Sequence, residues 1–582
     1  MLVLANKYTH LSRIISVSDI ECGILIVHSF FRRIGMRSQF FLCLFVLISL
    51  AGCGGGEESA SPAPTPGPTP TPQPSPELTD EQAVRLLMQA SFGPTDASVA
   101  QVAQSGAEQW LIEQFALPVT EHLPLLDSTF PQDEIYSHHW VETWWQRSVY
   151  AEDQLRQRVA FSLSQIFVVS TKDARLLVDP RGVTSYYDTL LNHSFGNFRD
   201  LLEAVTLHPM MGMYLSMLGN EKPDEERNIR PDENFAREVM QLFTIGLVEL
   251  NQDGSVVTDE QGQPVATYDQ DIIKGFAHVF TGWHFAGRAN WWDDNYDGLS
   301  PMQPYEAFHD RSEKHLLNGT IVPARQNARA DLAMALDNLF NHPNVGPFIG
   351  KQLIQRLVTS NPSPDYIERV AAAFNDNGNG VRGDMQAVIK AILLDDEARI
   401  LDTSGTGKLR DPLLRIAHVM RVFQSRARDG GMGHEFVSLN IGMAPLDSPS
   451  VFNFYRPDYS APGTIREEGL VSPEFQITNE ISITRYVNYM FYMAWFNNLR
   501  GDEIIENDAG IVNFDRLAAL SGNHDALLDY LNLMLLDGQM NDTMRTILME
   551  ALDYWSQGDA DWVKLANVVY LITISPQFAV QQ

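Results

Sequence analysis

Within residues 231–246, Glu233, Asn234, Arg237, Glu238 and Gln241 recur at spacings of three and four. At those separations side chains on one helical turn meet those on the next. Carboxylates interleaved with a guanidinium and amides can hold a polar ligand, and a carboxylate in an apolar setting can move a proton. The span reads as one short helix with both ends marked. Pro231 suits a first turn, where its missing N–H has no partner to lose. Asp232 and Glu233 place negative charge at the positive end of the helix dipole, and Gly246 can take the left-handed conformation that closes a helix. Phe235, Val239, Leu242 and Phe243 form an apolar stripe. Arg237 is placed to meet Glu233 one turn back, and Glu238 to meet Asn234. The same pattern also suits a plain structural helix whose Glu–Arg pair braces its neighbours.

A second group follows downstream. His309 beside Asp310, with Lys314 one turn further, could act as an acid–base pair or pin a loop. Trp283, Trp291 and Trp292 could stack on a sugar ring or cover the core. If the 231–246 helix is buried, Glu238 needs a partner, because an unpaired buried carboxylate is costly. His309 and Lys314 are the expected donors, so segment 283–314 is predicted to cover the helix and close one polar pocket. Arg237, Glu238, His309 and Asp310 are the candidate catalytic residues. Glu233, Asn234, Gln241, Trp283 and Lys314 are the candidate binding residues.

Between these groups, Asp293, Asn295, Asp297 and Gly298 match the first half of a calcium loop, where alternate oxygen ligands precede a glycine. The twelfth position is Pro304, so the bidentate glutamate is missing. Calcium is the one cofactor the sequence suggests, with a solvated acidic turn as the alternative. Asn375, Asn377, Asn379 and Gly380 echo the pattern with neutral groups and read as a turn.

Other chemistries are excluded by inspection. The chain has no Gly-x-Ser-x-Gly elbow, no His-Glu-x-x-His and no complete phosphate loop around Gly407-Lys408. The net charge of −31 argues against nucleic-acid binding.

Leading up to Cys53, Met36 to Gln39 is a short basic region and Phe40 to Leu50 an apolar run too short for a stable spanning helix. Leu50-Ala51-Gly52-Cys53 resembles the lipobox of bacterial lipoproteins, in which cleavage precedes an acylated cysteine. Residues 1–52 are therefore expected to be a leader, with Met36 as the functional start, and Cys53 the lipidated residue. Gly54 after the cysteine favours the outer membrane by the same resemblance, and two or three acyl chains suffice for stable anchoring. The chain's other cysteines, Cys22 and Cys43, lie in the leader. A mature chain without free thiols has no cysteine nucleophile, thiolate zinc site or disulfide. Residues 53–77 are Gly-, Ser- and Pro-rich and read as an extended tether.

The remainder, 78–582, reads as mainly α: a large irregular multi-helix domain with long loops and a small β-hairpin. Two subdomains dividing near 325–410 are one possible arrangement. Thr79 to Gln82 is a capping signal. Helices are expected over 97–115, 140–169, 269–280 and 479–498, about fifteen to twenty in all. Trp140 to Val169 is expected to keep Asp153, Arg156 and Arg158 on a polar side. Asp253-Gly254 and Gln261-Gly262 mark the hairpin, and Arg288 to Lys314 forms a long loop of the kind that often carries function.

Several short motifs add up to a resemblance: Glu233-Asn234-Phe235-Ala236-Arg237-Glu238 running into Leu242-Phe243-Thr244-Ile245-Gly246; Phe280-Thr281-Gly282-Trp283; His309-Asp310 with Lys314; Gly380-Val381-Arg382-Gly383-Asp384; and Pro449-Ser450-Val451-Phe452-Asn453. From about Thr79 to Gln582 the chain resembles the bacterial domain of unknown function 1800 family. That resemblance implies a large helical envelope or secreted protein and carries no established activity. The expected role is a lipid-anchored protein that binds or assembles at the outer membrane, with an envelope protein or glycan as partner. The alternative is a hydrolytic enzyme using carboxylates of the 231–246 helix with the His309 loop.

Overall fold

Thr79 opens the first helix, Asp80–Ala90, with the capping box its sequence announces. The Gln82 N–H donates to Thr79 Oγ1, and the Thr79 N–H to Gln82 Oε1. The computed structural model describes residues 78–401, 407–425, 437–495, 498–499, 512–555 and 560–582. The expected leader, Cys53 with the lipobox-like residues before it, and the expected Pro-rich tether lie outside them. Helix dominates, at 56%, in 26 α-helices among the described residues. Four two-stranded pairs of two residues each complete the secondary structure, three antiparallel and one parallel. Among the described residues no helix is long and apolar enough to cross a membrane.

Several long sequence periodicities resolve into shorter pieces. Gly106, at φ +77°, divides the expected 97–115 helix into Asp96–Ser105 and Ala107–Ala116. The expected 140–169 helix breaks at Ala151–Asp153 into Ser137–Tyr150 and Gln154–Ser164. The second of these is buried on every face, so Asp153, Arg156 and Arg158 do not line a solvent side as expected. Arg158 instead donates to Arg356 O at 2.6 Å and to Ser162 Oγ at 2.9 Å, and burial lowers its guanidinium to about 10. Backbone acceptors let the core absorb a cation that sequence polarity assigns to the surface.

The predicted hairpin is present as two successive tight turns. Leu250 bridges Val256 around Asp253-Gly254, and Thr258 bridges Pro264 around Gln261-Gly262. Both glycines have positive φ. The described residues form one compact unit around a continuous apolar core.

The packing that matters for chemistry is local. Helix Asn234–Gln241 packs on helix Gln270–Val279, which packs in turn on strand Lys314–His315 and helix Ala328–Phe340. Gly275 permits the strand to come this close, since a Cβ there would lie 2.0 Å from His315 O.

Candidate functional site

The central helix runs Asn234–Gln241, shorter than the span marked for it. Phe235, Ala236, Val239 and Met240 are buried, and Phe243 continues the stripe, whereas Leu242 is only half-buried. Gly246, at φ +73°, closes the helix by donating to Met240 O. At the entry, Asp232 Oδ1 accepts the Asn234 N–H at 2.8 Å, and Asn220 holds Asp232 through the backbone on both sides. Arg237 meets Glu233 one turn back at 2.6 Å, as the spacing predicts. Gln270 joins them, accepting from Arg237 and donating to Glu233, so the three form a surface clamp between two helices. An exposed ion pair of this kind is worth little by itself.

Glu238 behaves differently. It is half-buried, and its Oε2 has no hydrogen-bond partner among the described residues. Asn234, its expected neighbour, donates through its backbone to Asp232 instead. Burial pushes the Glu238 carboxyl up, against a smaller opposing pull from Arg237. Two half-buried phenols feel its charge. Tyr214, ending helix Pro209–Tyr214, is raised to about 12 by burial and by the charges of Asp173 and Glu238. Tyr268 is raised to about 12 by burial and Glu238, against Arg237. Glu238, Tyr214 and Tyr268 thus influence one another electrostatically, each raised above its ordinary value mainly by burial.

The His309 loop does not join this group. His309 Nε2 lies 3.0 Å from Asp331 Oδ2, and Lys314 Nζ lies 2.7 Å from the same oxygen. His309 Nδ1 faces Thr281 O at 2.9 Å. Lys314 gives its other hydrogens to Asp310 O and Ser312 O. Asp310 pairs with His278, not with His309, and accepts two bonds from Ser312. Burial pushes the Asp310 carboxyl up, but the His278 and Ser312 donors outweigh it and hold the group well below the usual carboxylate range. The pocket expected between Glu238, His309 and Lys314 therefore does not form. Asp331, on helix Ala328–Phe340, takes both donors first.

The tryptophans divide. Trp283 and Trp291 are core, the latter stacked on Phe308 at 4.3 Å, while Trp292 is 71% exposed. The acidic loop also turns inward. Asp293 accepts from the Ala289 and Asn295 N–H groups, and Asp297 from those of Leu299 and Ser300. These bonds make turns of the segment. Among the described residues no group of three His, Asp or Glu side chains is arranged for a metal ion. The calcium expectation thus finds no gathered ligand set among the described residues; Asn375 ends helix Pro364–Asn375, and residues 376–380 make the expected turn, with Asp376 accepting from the Gly378 and Gly380 N–H groups.

Comparison with known families fits this scaffold. The family model described as Protein of unknown function (DUF1800) matches residues 85–580. The chain belongs to the DUF1800 family. No curated protein and no solved structure matches it. The motifs that carry the family resemblance have physical roles here. In Phe280-Thr281-Gly282-Trp283, Thr281 Oγ1 accepts from the Asp310 N–H and donates to His278 O. Gly282, at φ +83°, leaves room for His309, whose backbone N would lie 2.7 Å from a Cβ. In Gly380-Val381-Arg382-Gly383-Asp384, Arg382 binds the Phe340 and His342 carbonyls, and Asp384 caps helix Met385–Leu393.

Sequence reasoning missed Tyr214, Tyr268, His278 and Asp331. Asp331 looks like any acid in a helical first turn. The tyrosines stand far from Glu238 in sequence. His278, three residues before Thr281, offers the one local hint.

Proposed function

We propose that this DUF1800 protein is a lipid-anchored component of the bacterial cell envelope that binds or assembles at the outer membrane. In this reading Glu238, Tyr214 and Tyr268 form its ligand face. The observation that carries it is the Glu238 carboxyl, half-buried, raised by burial and without a hydrogen-bond partner at Oε2. A buried carboxylate oxygen without a partner in the chain can take its hydrogen bond from a water or from a ligand group. A carboxyl coupled to two phenols suits the hydroxyl-rich edge of a glycan, which both donates and accepts hydrogen bonds while its apolar face lies against a ring. Anchoring rests on Leu50-Ala51-Gly52-Cys53 and the Pro-rich segment behind it.

The hydrolytic alternative needs a second acid–base group beside Glu238. His309 and Asp310, nominated for that role, are engaged with Asp331 and His278, which favours binding over turnover. Co-sedimentation of the full chain, in detergent micelles, with isolated cell-wall glycan tests the ligand face. The wild-type chain should sediment and Glu238→Gln should stay in solution; equal sedimentation of both rejects the assignment. Release of reducing ends from that glycan, lost in Glu238→Gln, would favour hydrolysis. Cys53→Ala should lose palmitate labelling and leave the membrane fraction, and unchanged fractionation would reject the anchor.

A further inference from the structure

The sealed cluster of His309, Lys314 and Asp331 takes no part in that ligand face, yet its geometry is suited to a reaction. We propose that Lys314 and Asp331 condense to an intramolecular isopeptide bond, with His309 carrying the proton. The described residues contain no cysteine, so any covalent cross-link among them must use other side chains.

Three features support the assignment. The first is position. Lys314 Nζ lies 2.7 Å from Asp331 Oδ2, and His309 Nε2 lies 3.0 Å from that same oxygen. Asp310 O and Ser312 O hold the amine on its other sides at 2.7 and 2.9 Å. An amine fixed beside a carboxyl reacts as if at very high concentration.

The second is the proton. His309 Nδ1 faces the Thr281 carbonyl oxygen at 2.9 Å, which can only accept, so Nδ1 carries a hydrogen. Nε2 faces a carboxyl oxygen, so a further proton must lie between Nε2 and Oδ2. In the reactive neutral acid it sits on Oδ2, the oxygen that has to leave.

The third is dryness. None of the three residues is more than 2% exposed, and Asp331 Oδ1 is buried without a partner. An ion pair in such a site lacks the solvation that favours it in water, which brings the neutral amine and neutral acid within reach. Exclusion of bulk water also keeps the reverse hydrolysis slow.

The step balances without any oxidant or co-reactant. Nζ attacks Asp331 Cγ, the Nζ–Cγ bond forms and the Cγ–Oδ2 bond breaks. Oδ2, already carrying the proton it shares with His309 Nε2, takes one proton from Nζ by way of that nitrogen and leaves as water. Nζ keeps its other hydrogen as the amide N–H. Oδ1 remains as the amide oxygen. The product ties strand Lys314–His315 covalently to helix Ala328–Phe340.

Mass spectrometry of the full chain decides the matter. After trypsin, the wild-type protein should yield peptide 312–325, uncut at Lys314, joined to peptide 330–351 and lighter by one water than the two together. His309→Gln leaves amine and carboxyl in place, and should yield folded protein in which most chains are one water heavier than the wild type. A wild-type chain at its full sequence mass, cut after Lys314 and releasing linear 330–351, would overturn the proposal. Cross-linking at wild-type extent in His309→Gln would overturn the role given to His309.

Discussion

Glu238 and Asp331 sit on helices that share a neighbour, Gln270–Val279, and their carboxyls meet opposite fates. Asp331 Oδ2 receives both His309 and Lys314 in a sealed site. Glu238 receives neither, and burial raises it. The His309 loop closes on Asp331, which receives both of its nitrogen donors, and Glu238 is left without its expected partner. Residue type and helical spacing are alike at both sites. What differs is whether the fold delivers a cation, and the site left without one is where a ligand has something to gain.

The contrast is strongest for Lys314→Met. It leaves the buried Asp331 with His309 as its remaining partner, and losing Lys314, whether as a charge partner or as a cross-link, should cost about 3–5 kcal/mol. Urea denaturation should show this as a large drop in midpoint. A loss under about 1 kcal/mol would mean that the sealed site is no more structural than the open one.

Gly282→Ala probes the same loop through its backbone. Gly282 has φ +83° and lies against His309, so a methyl there should cost about 1–3 kcal/mol. Gly262 has a similar φ of +76°, and a Cβ there would have nothing within 4 Å. Gly262→Ala should therefore cost distinctly less by thermal melting. Equal losses would show that packing against His309 contributes nothing.

Asp310 gives a pH signature. Its folded carboxyl is held below the usual range, so its contribution is present above the unfolded value, about 3.9, and is lost as pH falls further. Asp310→Asn should flatten the acid limb of a melting-temperature profile below about pH 4 and lower stability above it. An unchanged acid limb would remove the His278–Asp310 pair from the structural side of the comparison.

How much of this was legible in sequence follows from the range of the interactions involved. Thr79 with Gln82, Glu233 with Arg237, and Gly246 each act within about a turn, and each stands where spacing puts it. The predominance of helix, and the two glycine turns near 254 and 262, were readable for the same reason. The division at Gly106 depends on one residue's left-handed backbone, and helical periodicity runs straight through it. Arg158 reads as a surface charge until the fold brings Arg356 O to it. The site failed on the same ground. His309 and Lys314 were recognisable as donors, but the choice between Glu238 and Asp331 as acceptor is made by how Gln270–Val279 packs.

Glu238→Gln carries the smallest expected change in stability and the most information. Were Glu238 one half of a buried pair, the amide would cost several kcal/mol. With Oε2 unpartnered, no pair exists to break. Burial disfavours the ionised form, so the folded carboxyl keeps its proton to higher pH than the unfolded one. Its contribution to stability is therefore complete below the unfolded value, about 4.3, and declines as pH rises through the raised folded value. Glutamine cannot ionise and removes that decline. The variant should melt at or slightly above the wild-type temperature at pH 7, with the advantage gone near pH 4, while glycan co-sedimentation is lost at both. A variant that melts well below wild type at pH 7 would make Glu238 a structural anchor like Asp331, and the two carboxyls would no longer differ in kind.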